Sequence, residues 1–265
     1  MCTLPIFCNA SGSWGAEYSI STLYTGTIGK SSVIMNLVDS KNIVSGSYMY
    51  NKYKNKILLN GVSNSNSIEL QEKKNNSTAT ITLTRTNKGY IGKWCDKSCV
   101  PVTIQTNNLF RDGELKRVEI DGFDVGGYKI RMEFKNKNET VVISDAIDLP
   151  FLEFVDINGD GFYDLIVTTD HRSNNGSQVV YLSGDNGFLE DDALSKENGT
   201  IVYDSYKKEI IFNSKDDCCN NFNKVFYSFD NGRAVKGDSI SFDYSSNKGK
   251  DSKGRNISKD EFESY

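Results

Sequence analysis

Asp156, Asn158, Asp160 and Asp164 stand at positions one, three, five and nine of a short polar stretch, with glycine at position six. That spacing suits the binding of a hard cation. Calcium takes about 6–8 oxygen ligands at roughly 2.3–2.6 Å, from carboxylates, amide oxygens and main-chain carbonyls. The four side chains supply part of such a set, and the carbonyl of Phe162 falls where a main-chain ligand belongs. Gly161 permits the sharp reversal that wraps the early ligands around one centre. Without a cation, three carboxylates in one tight turn repel one another. Ca2+ is therefore the expected cofactor, with Asp156, Asn158, Asp160, Phe162 and Asp164 as its ligands. An acidic hairpin turn is the plainer alternative, because Asn, Asp and Gly favour turns in any case.

The flanks decide what kind of loop this is. Position twelve is Val167, where an EF-hand carries its bidentate glutamate. Residues 151–155 and 165–168 are short apolar runs of strand formers, not amphipathic helices. Such a loop pins two strands.

Catalytic chemistry has few candidates. The only histidine, His171, lies in the polar segment Thr169-Asp170-His171-Arg172-Ser173-Asn174-Asn175-Gly176 and reads first as a loop residue. Any Ser-His-Asp or Cys-His unit would have to use it. No phosphate-cradling loop and no dinucleotide fingerprint occurs. A glycosidase needs two carboxylates at a set separation, and 35 acidic residues nominate no particular pair. The expectation is a protein that is not an enzyme. A net charge of −4 lacks the basic surface of a nucleic-acid binder, and no apolar run reaches the roughly 18 residues of a membrane-spanning helix.

Six cysteines, Cys2, Cys8, Cys95, Cys99, Cys218 and Cys219, form an even set without C-x-x-C spacing. Disulfides in an oxidising compartment fit better than zinc. Cys2–Cys8 and Cys95–Cys99 are plausible local bridges, and Cys218 and Cys219 pair with each other or with distant cysteines. Cys2 has a second reading, as a lipid anchor, which would leave an odd number for pairing. The chain is expected to be exported to the periplasm, its leader not part of this sequence.

The elements that position these residues read as strands. Only 3 prolines accompany 14 Tyr and 14 Phe, and Thr80-Ile81-Thr82-Leu83-Thr84 alternates as a strand with one wet face does. From residue 24 to 105, short apolar runs are punctuated by Asn, Asp, Ser and Gly, as in an antiparallel meander. Parallel pairing is not expected, because no helical crossover is visible. The fold class is therefore all-β, an antiparallel meander half packed on an irregular propeller-like half that carries the calcium hairpin. The divisions are an irregular segment at 1–20, a β half at 21–110, a second β half at 111–244 and a polar tail at 245–265, mobile unless it docks. Residues 106–113 form the internal boundary. Residues 189–194 alone suit a turn or two of helix, and Glu190-Asp191-Asp192 reads as a solvated turn.

The loop resembles the D-x-N-x-D-G-x-x-D-L loop of FG-GAP and VCBS-type repeats in extracellular β proteins. Tyr24-Thr25-Gly26-Thr27-Ile28-Gly29-Lys30, Gly46-Ser47-Tyr48-Met49-Tyr50, Ile57-Leu58-Leu59-Asn60-Gly61, Leu70-Gln71-Glu72 and Gly92-Lys93-Trp94 add a serial pattern. Together they are similar to a family of bacterial periplasmic proteins that carry this loop in their second half. Some members are immunity proteins that bind and inhibit lysozyme-like, peptidoglycan-degrading toxins. The resemblance, over residues 24–230, implies an inhibitor whose partner is a secreted peptidoglycan hydrolase. His171, Arg172 and Asn174 are then candidates for a loop entering the enzyme's cleft. Ser45-Gly46-Ser47-Tyr48 also resembles the Ser-Gly…Tyr signature of periplasmic lysozyme inhibitors, making Ser45 and Tyr48 further candidates. Tyr48 and Tyr50 share one face of a strand-like run, however, which favours structural use. The alternative function is a non-catalytic glycan- or cell-surface-binding module, with aromatic rings as stacking platforms.

Overall fold

A computed structural model describes residues 13–72, 79–123, 127–144, 146, 148–170, 176–216 and 220–265. A short strand β1 (Ser13–Gly15) leads into the long β2 (Tyr18–Ile28). There follow β3 (Ser31–Ser40), β4 (Ile43–Tyr50), β5 (Ile57–Ser63), β6 (Ser67–Glu72), β7 (Thr80–Thr86), β8 (Gly89–Cys95) and β9 (Cys99–Gln105). Each pairs antiparallel with the next, as the meander pattern requires, and β9 returns to pair with Thr25–Ile28 of β2. The result is a closed eight-stranded barrel, which leaves no free edge between its first and last strands.

Period-two alternation fills it. In β7, Ile81 and Leu83 are fully buried while Thr80, Thr82 and Thr84 face outward. Met35, Val44, Leu59, Leu70 and Ile104 join them in the interior. Gly61 explains one of the glycines that punctuate this half. A Cβ there would lie 1.8 Å from the carbonyl oxygen of Glu69 on the neighbouring strand, so only a residue without a side chain permits the approach. The Cys95–Cys99 disulfide forms, joining register partners across the turn between β8 and β9.

The rest of the chain makes further sheet. Strands β10 (Leu115–Phe123), β11 (Gly127–Phe134) and β12 (Asn138–Ile143) pair with β1 in a four-stranded antiparallel sheet. Then β13 (Phe151–Val155), β14 (Asp164–Asp170), β15 (Ser177–Gly184) and β16 (Gly187–Glu190) extend the barrel's own sheet outward from β2. A one-turn helix, α1 (Asp192–Ser195), is capped by the Asp191 carboxylate, so the acidic cluster expected as a solvated turn supplies an N-cap. Strands β17 (Thr200–Asp204), β18 (Glu209–Lys215), β19 (Asn221–Asp230), β20 (Arg233–Asp243), β21 (Lys248–Asp251) and β22 (Asn256–Ile257) form a six-stranded sheet. Helix α2 (Lys259–Glu263) closes the chain.

The described strands of the second half lie in a four-stranded sheet, a six-stranded sheet and an extension of the barrel's own sheet. One expectation needs correction. Parallel pairing does occur: Tyr18–Ser21 of β2 pairs in parallel with Leu152–Val155 of β13. The crossover this demands comes from the whole barrel and the β10–β12 sheet rather than from a helix. The polar tail docks, with Ile257 and Phe262 buried in a cluster with Ile211, Phe226, Ile240 and Phe242.

Strand β2 is the pivot of this arrangement. Its C-terminal half pairs with β9 and its N-terminal half with β13, on the same edge. Between the two pairings, at Leu23, the edge forks.

Candidate functional site

A fork leaves backbone donors without ladder partners, and a donor away from water must find one elsewhere. The Leu23 amide donates to the Asn108 side-chain oxygen at 3.4 Å. The Asn108 side-chain nitrogen in turn donates to Asp156 Oδ2 at 2.6 Å. One amide side chain thus joins the fork in β2 to the first residue of the acidic loop. Beside it, the hydroxyls of Thr22 and Tyr163 meet at 2.6 Å, both residues buried.

The segment carrying Asn108, residues 106–111 of the boundary expected at 106–113, is an arm laid against the loop. Leu109 and Phe162 form an isolated parallel bridge, in which the Leu109 amide donates to the Gly161 carbonyl and the Tyr163 amide to the Leu109 carbonyl, both at 3.0 Å. Arg111 sits 3.8 Å over the Phe162 ring and pairs with Asp160 at 3.1 Å and Asp185 at 3.3 Å.

Within the loop, the side-chain oxygens turn onto backbone amides. Asp156 accepts from Gly159 and Gly161, Asn158 from Asp160, and Asp160 from Phe162, at 2.8–3.0 Å. Gly159 and Gly161 have φ of 77° and 90°, a region that favours glycine. Asp164 is fully buried on β14, and its two oxygens accept from the amides of Ile157 and Ser183 at 3.0 and 2.8 Å. Burial pushes its carboxyl up to about 7, with Asp160 and Asp156 adding to the rise against those two amides. Burial likewise raises Asp156. Among the described residues, no group of three acidic, histidine or cysteine side chains comes together as a metal-holding cluster. The donors are nevertheless hard oxygens, each carboxylate retains lone pairs beyond those its amides use, and Asp164 bonds to no cationic side chain among the described residues. In donor chemistry the four side chains and the Phe162 carbonyl are of the type a hard divalent cation takes, while Asp160 is already paired with Arg111.

The other sequence-predicted residues scatter. Ser45 is exposed on β4. Tyr48 is not available as a contact residue, because it is 1% exposed inside the barrel. Its hydroxyl donates to Glu72 Oε1 at 2.5 Å, and Trp94 Nε1 donates to the same oxygen at 2.6 Å. Strand periodicity sends Tyr48 inward and Ser45 outward. His171, Arg172 and Asn174, like Cys2, Cys8, Cys218 and Cys219, lie outside the described residues. The residues that sequence reasoning missed are Asn108 and Arg111. Both lie within or beside a run of Asn, Asp and Gly, which carried only the signal of a loop.

A second feature opens beside the fork. A cleft of about 860 Å³ runs from the barrel mouth along the inner face of β2 to the start of β10. The half-buried Tyr18 and Ile20 and the edges of the buried Thr22 and Tyr24 line it, the turn between β7 and β8 forms one rim, and the arm forms another.

Comparison with known proteins finds no matching family model, no matching curated protein and no matching solved structure.

Proposed function

We propose that this protein is an exported, non-catalytic binding protein whose acidic loop holds Ca2+ and whose role is immunity: it binds a secreted, lysozyme-like peptidoglycan hydrolase and blocks it. The motifs in both halves of the chain that resemble periplasmic immunity proteins support the partner. The observation that carries the calcium component is Asp164, a buried carboxylate satisfied by two amides but by no positive side chain. Asp156, Asn158, Asp160, the Phe162 carbonyl and Asp164 would hold the ion, which supplies positive charge and oxygen coordination. Stiffening the loop also stiffens the arm and, through Asn108, the fork in β2. A pre-ordered scaffold loses less freedom on association. The contact surface proposed is the connection between β14 and β15, with His171, Arg172 and Asn174, together with Ser45 on the outer barrel. A lysis assay with a secreted muramidase tests this reading: near-stoichiometric protein is expected to stop lysis, and Arg172→Glu to relieve the block. Undiminished lysis with a panel of such enzymes at micromolar protein would refute it.

The cleft, with the half-buried Tyr18 in its lining, favours a second reading, a glycan- or cell-surface-binding module. Sugar rings stack on aromatic faces, and pockets for small ligands fall in the size range of this cleft. Co-sedimentation with isolated cell-wall polymer, without any change in lysis rate, separates this reading from the first.

A further inference from the structure

The cleft beside β2 has a charged rim that the inhibitor reading does not use. Arg85 and Lys88 stand three positions apart on the hairpin of β7 and β8, both exposed and both lining the cleft. Neither takes part in an ion pair among the described residues. Lys41, the other cation of the lining, is paired with Glu17. The Arg85 guanidinium leans towards Tyr90. Its Nη2 donates to the Tyr90 hydroxyl at 3.4 Å, and it lies 6.0 Å from the centre of the Tyr90 ring. Tyr90 is fixed in turn edge-on against Tyr24, with ring centres 5.7 Å apart. The hairpin is anchored to the arm by the Thr106 amide, which donates to the Lys88 carbonyl at 3.0 Å. Two cations therefore stand at one rim of a concave site, Lys88 placed through its backbone alone. The acids of the lining, Asp39 and Glu114, come from other elements.

We propose that this cleft binds a carboxylate-bearing oligosaccharide, a sugar ring lying against the half-buried Tyr18 and its carboxylate meeting Arg85 and Lys88. Arginine offers paired donors in a fork that matches a carboxylate, and lysine adds a point charge. Asp39 and Glu114 serve as acceptors for hydroxyl or N-acyl N–H groups of the sugar. The proposal rests on the glycan-binding reading and goes beyond it in naming the charged group; the inhibitor reading does not depend on it.

The test is calorimetric titration of the full chain with two oligosaccharides of equal length. One is a neutral chain of N-acetylglucosamine, and the other carries a lactyl carboxylate on alternate rings. Wild type is expected to bind the carboxylate-bearing chain about tenfold more tightly, the scale of a charge-assisted hydrogen bond. The preference should shrink as salt is raised. Arg85→Ala/Lys88→Ala, which alters exposed side chains only, should keep the melting temperature and reduce the preference to within about twofold. Equal affinity for both chains, or a preference that survives the double variant, overturns the charged-rim proposal while leaving the glycan reading intact. No binding of either chain overturns both. Amide shift changes confined to another part of the molecule overturn the assignment to this cleft.

Discussion

Asn108 joins two parts of this protein through one side chain. It accepts from the Leu23 amide at the fork and donates to Asp156 in the acidic loop. Asn108→Ala leaves the Leu23 amide without its acceptor, while Asp156 Oδ2 keeps the Gly161 amide, and a loss of about 1–3 kcal/mol in unfolding free energy is expected by denaturant titration. Asp164→Ala removes the acceptor of two further amides, Ile157 and Ser183. If Asp164 helps to hold Ca2+, chelator should lower the Tm of the wild type and have little further effect on Asp164→Ala. Metal bound only to the folded chain stabilises it by about 2.7 kcal/mol at hundredfold saturation. A wild-type melting curve indifferent to both calcium and chelator would remove the ion from the account. At the barrel's interior, Tyr48→Phe withdraws one of the two donors to Glu72 while keeping the ring. The expected cost is about 1.5–3 kcal/mol, the range for a hydrogen bond to a charged group, with no change in any inhibition assay.

At the scale of elements, the alternation that identified the strands also sets what the barrel tolerates. Gly61→Ala drives a methyl group to within 1.8 Å of the Glu69 carbonyl oxygen. The strands must part to admit it, and destabilisation of about 2–3 kcal/mol, read from a denaturation midpoint, is expected. The C-terminal elements carry a different lesson. Composition marked residues 245–265 as a tail mobile unless it docks, and Ser258-Lys259-Asp260-Glu261 is a capping-box sequence, whose Glu261 amide donates to Ser258 Oγ at 3.1 Å at the start of α2. Phe262, buried on the six-stranded sheet, then anchors the helix. Deleting residues 258–265 should expose Phe242 and Ile240 and lower the Tm.

Across the whole molecule, the barrel meets the C-terminal sheet through a few polar contacts. The Tyr206 hydroxyl donates to the Ser47 carbonyl at 2.7 Å, and Lys56 pairs with Asp204 at 3.1 Å. Burial alone would raise the Asp204 carboxyl, but Lys56 and the amides of Lys207 and Tyr206 hold it below the ordinary carboxylate value. A depressed folded-state pKa contributes stability above the unfolded value, and that contribution is lost as pH falls through the folded one. Asp204→Asn should therefore melt lower than wild type at pH 7, and the gap should close once the pH falls well below about 3.9. A gap that persists unchanged in acid would assign the difference to packing rather than to charge.

What the sequence determined by itself was local. Alternating apolar residues specify strands because side chains change face at every step. Asn, Asp and Gly specify turns, and the order of residues 156–164 specifies a loop of oxygen acceptors. Four-position spacing made a Cys95–Cys99 bridge plausible, and the turn between β8 and β9, which sets the two in register, decided it. Tertiary structure alone decided the rest. The barrel closes because Thr25–Ile28 finds Val102–Gln105, and β2 forks because its other half finds β13 after the whole barrel has intervened. The arm's hold on the acidic loop and the cleft beneath the β7–β8 hairpin follow from those two pairings. No local pattern encodes which distant edge a strand will meet. That choice is made by shared burial and by satisfying backbone donors, once the strands are assembled.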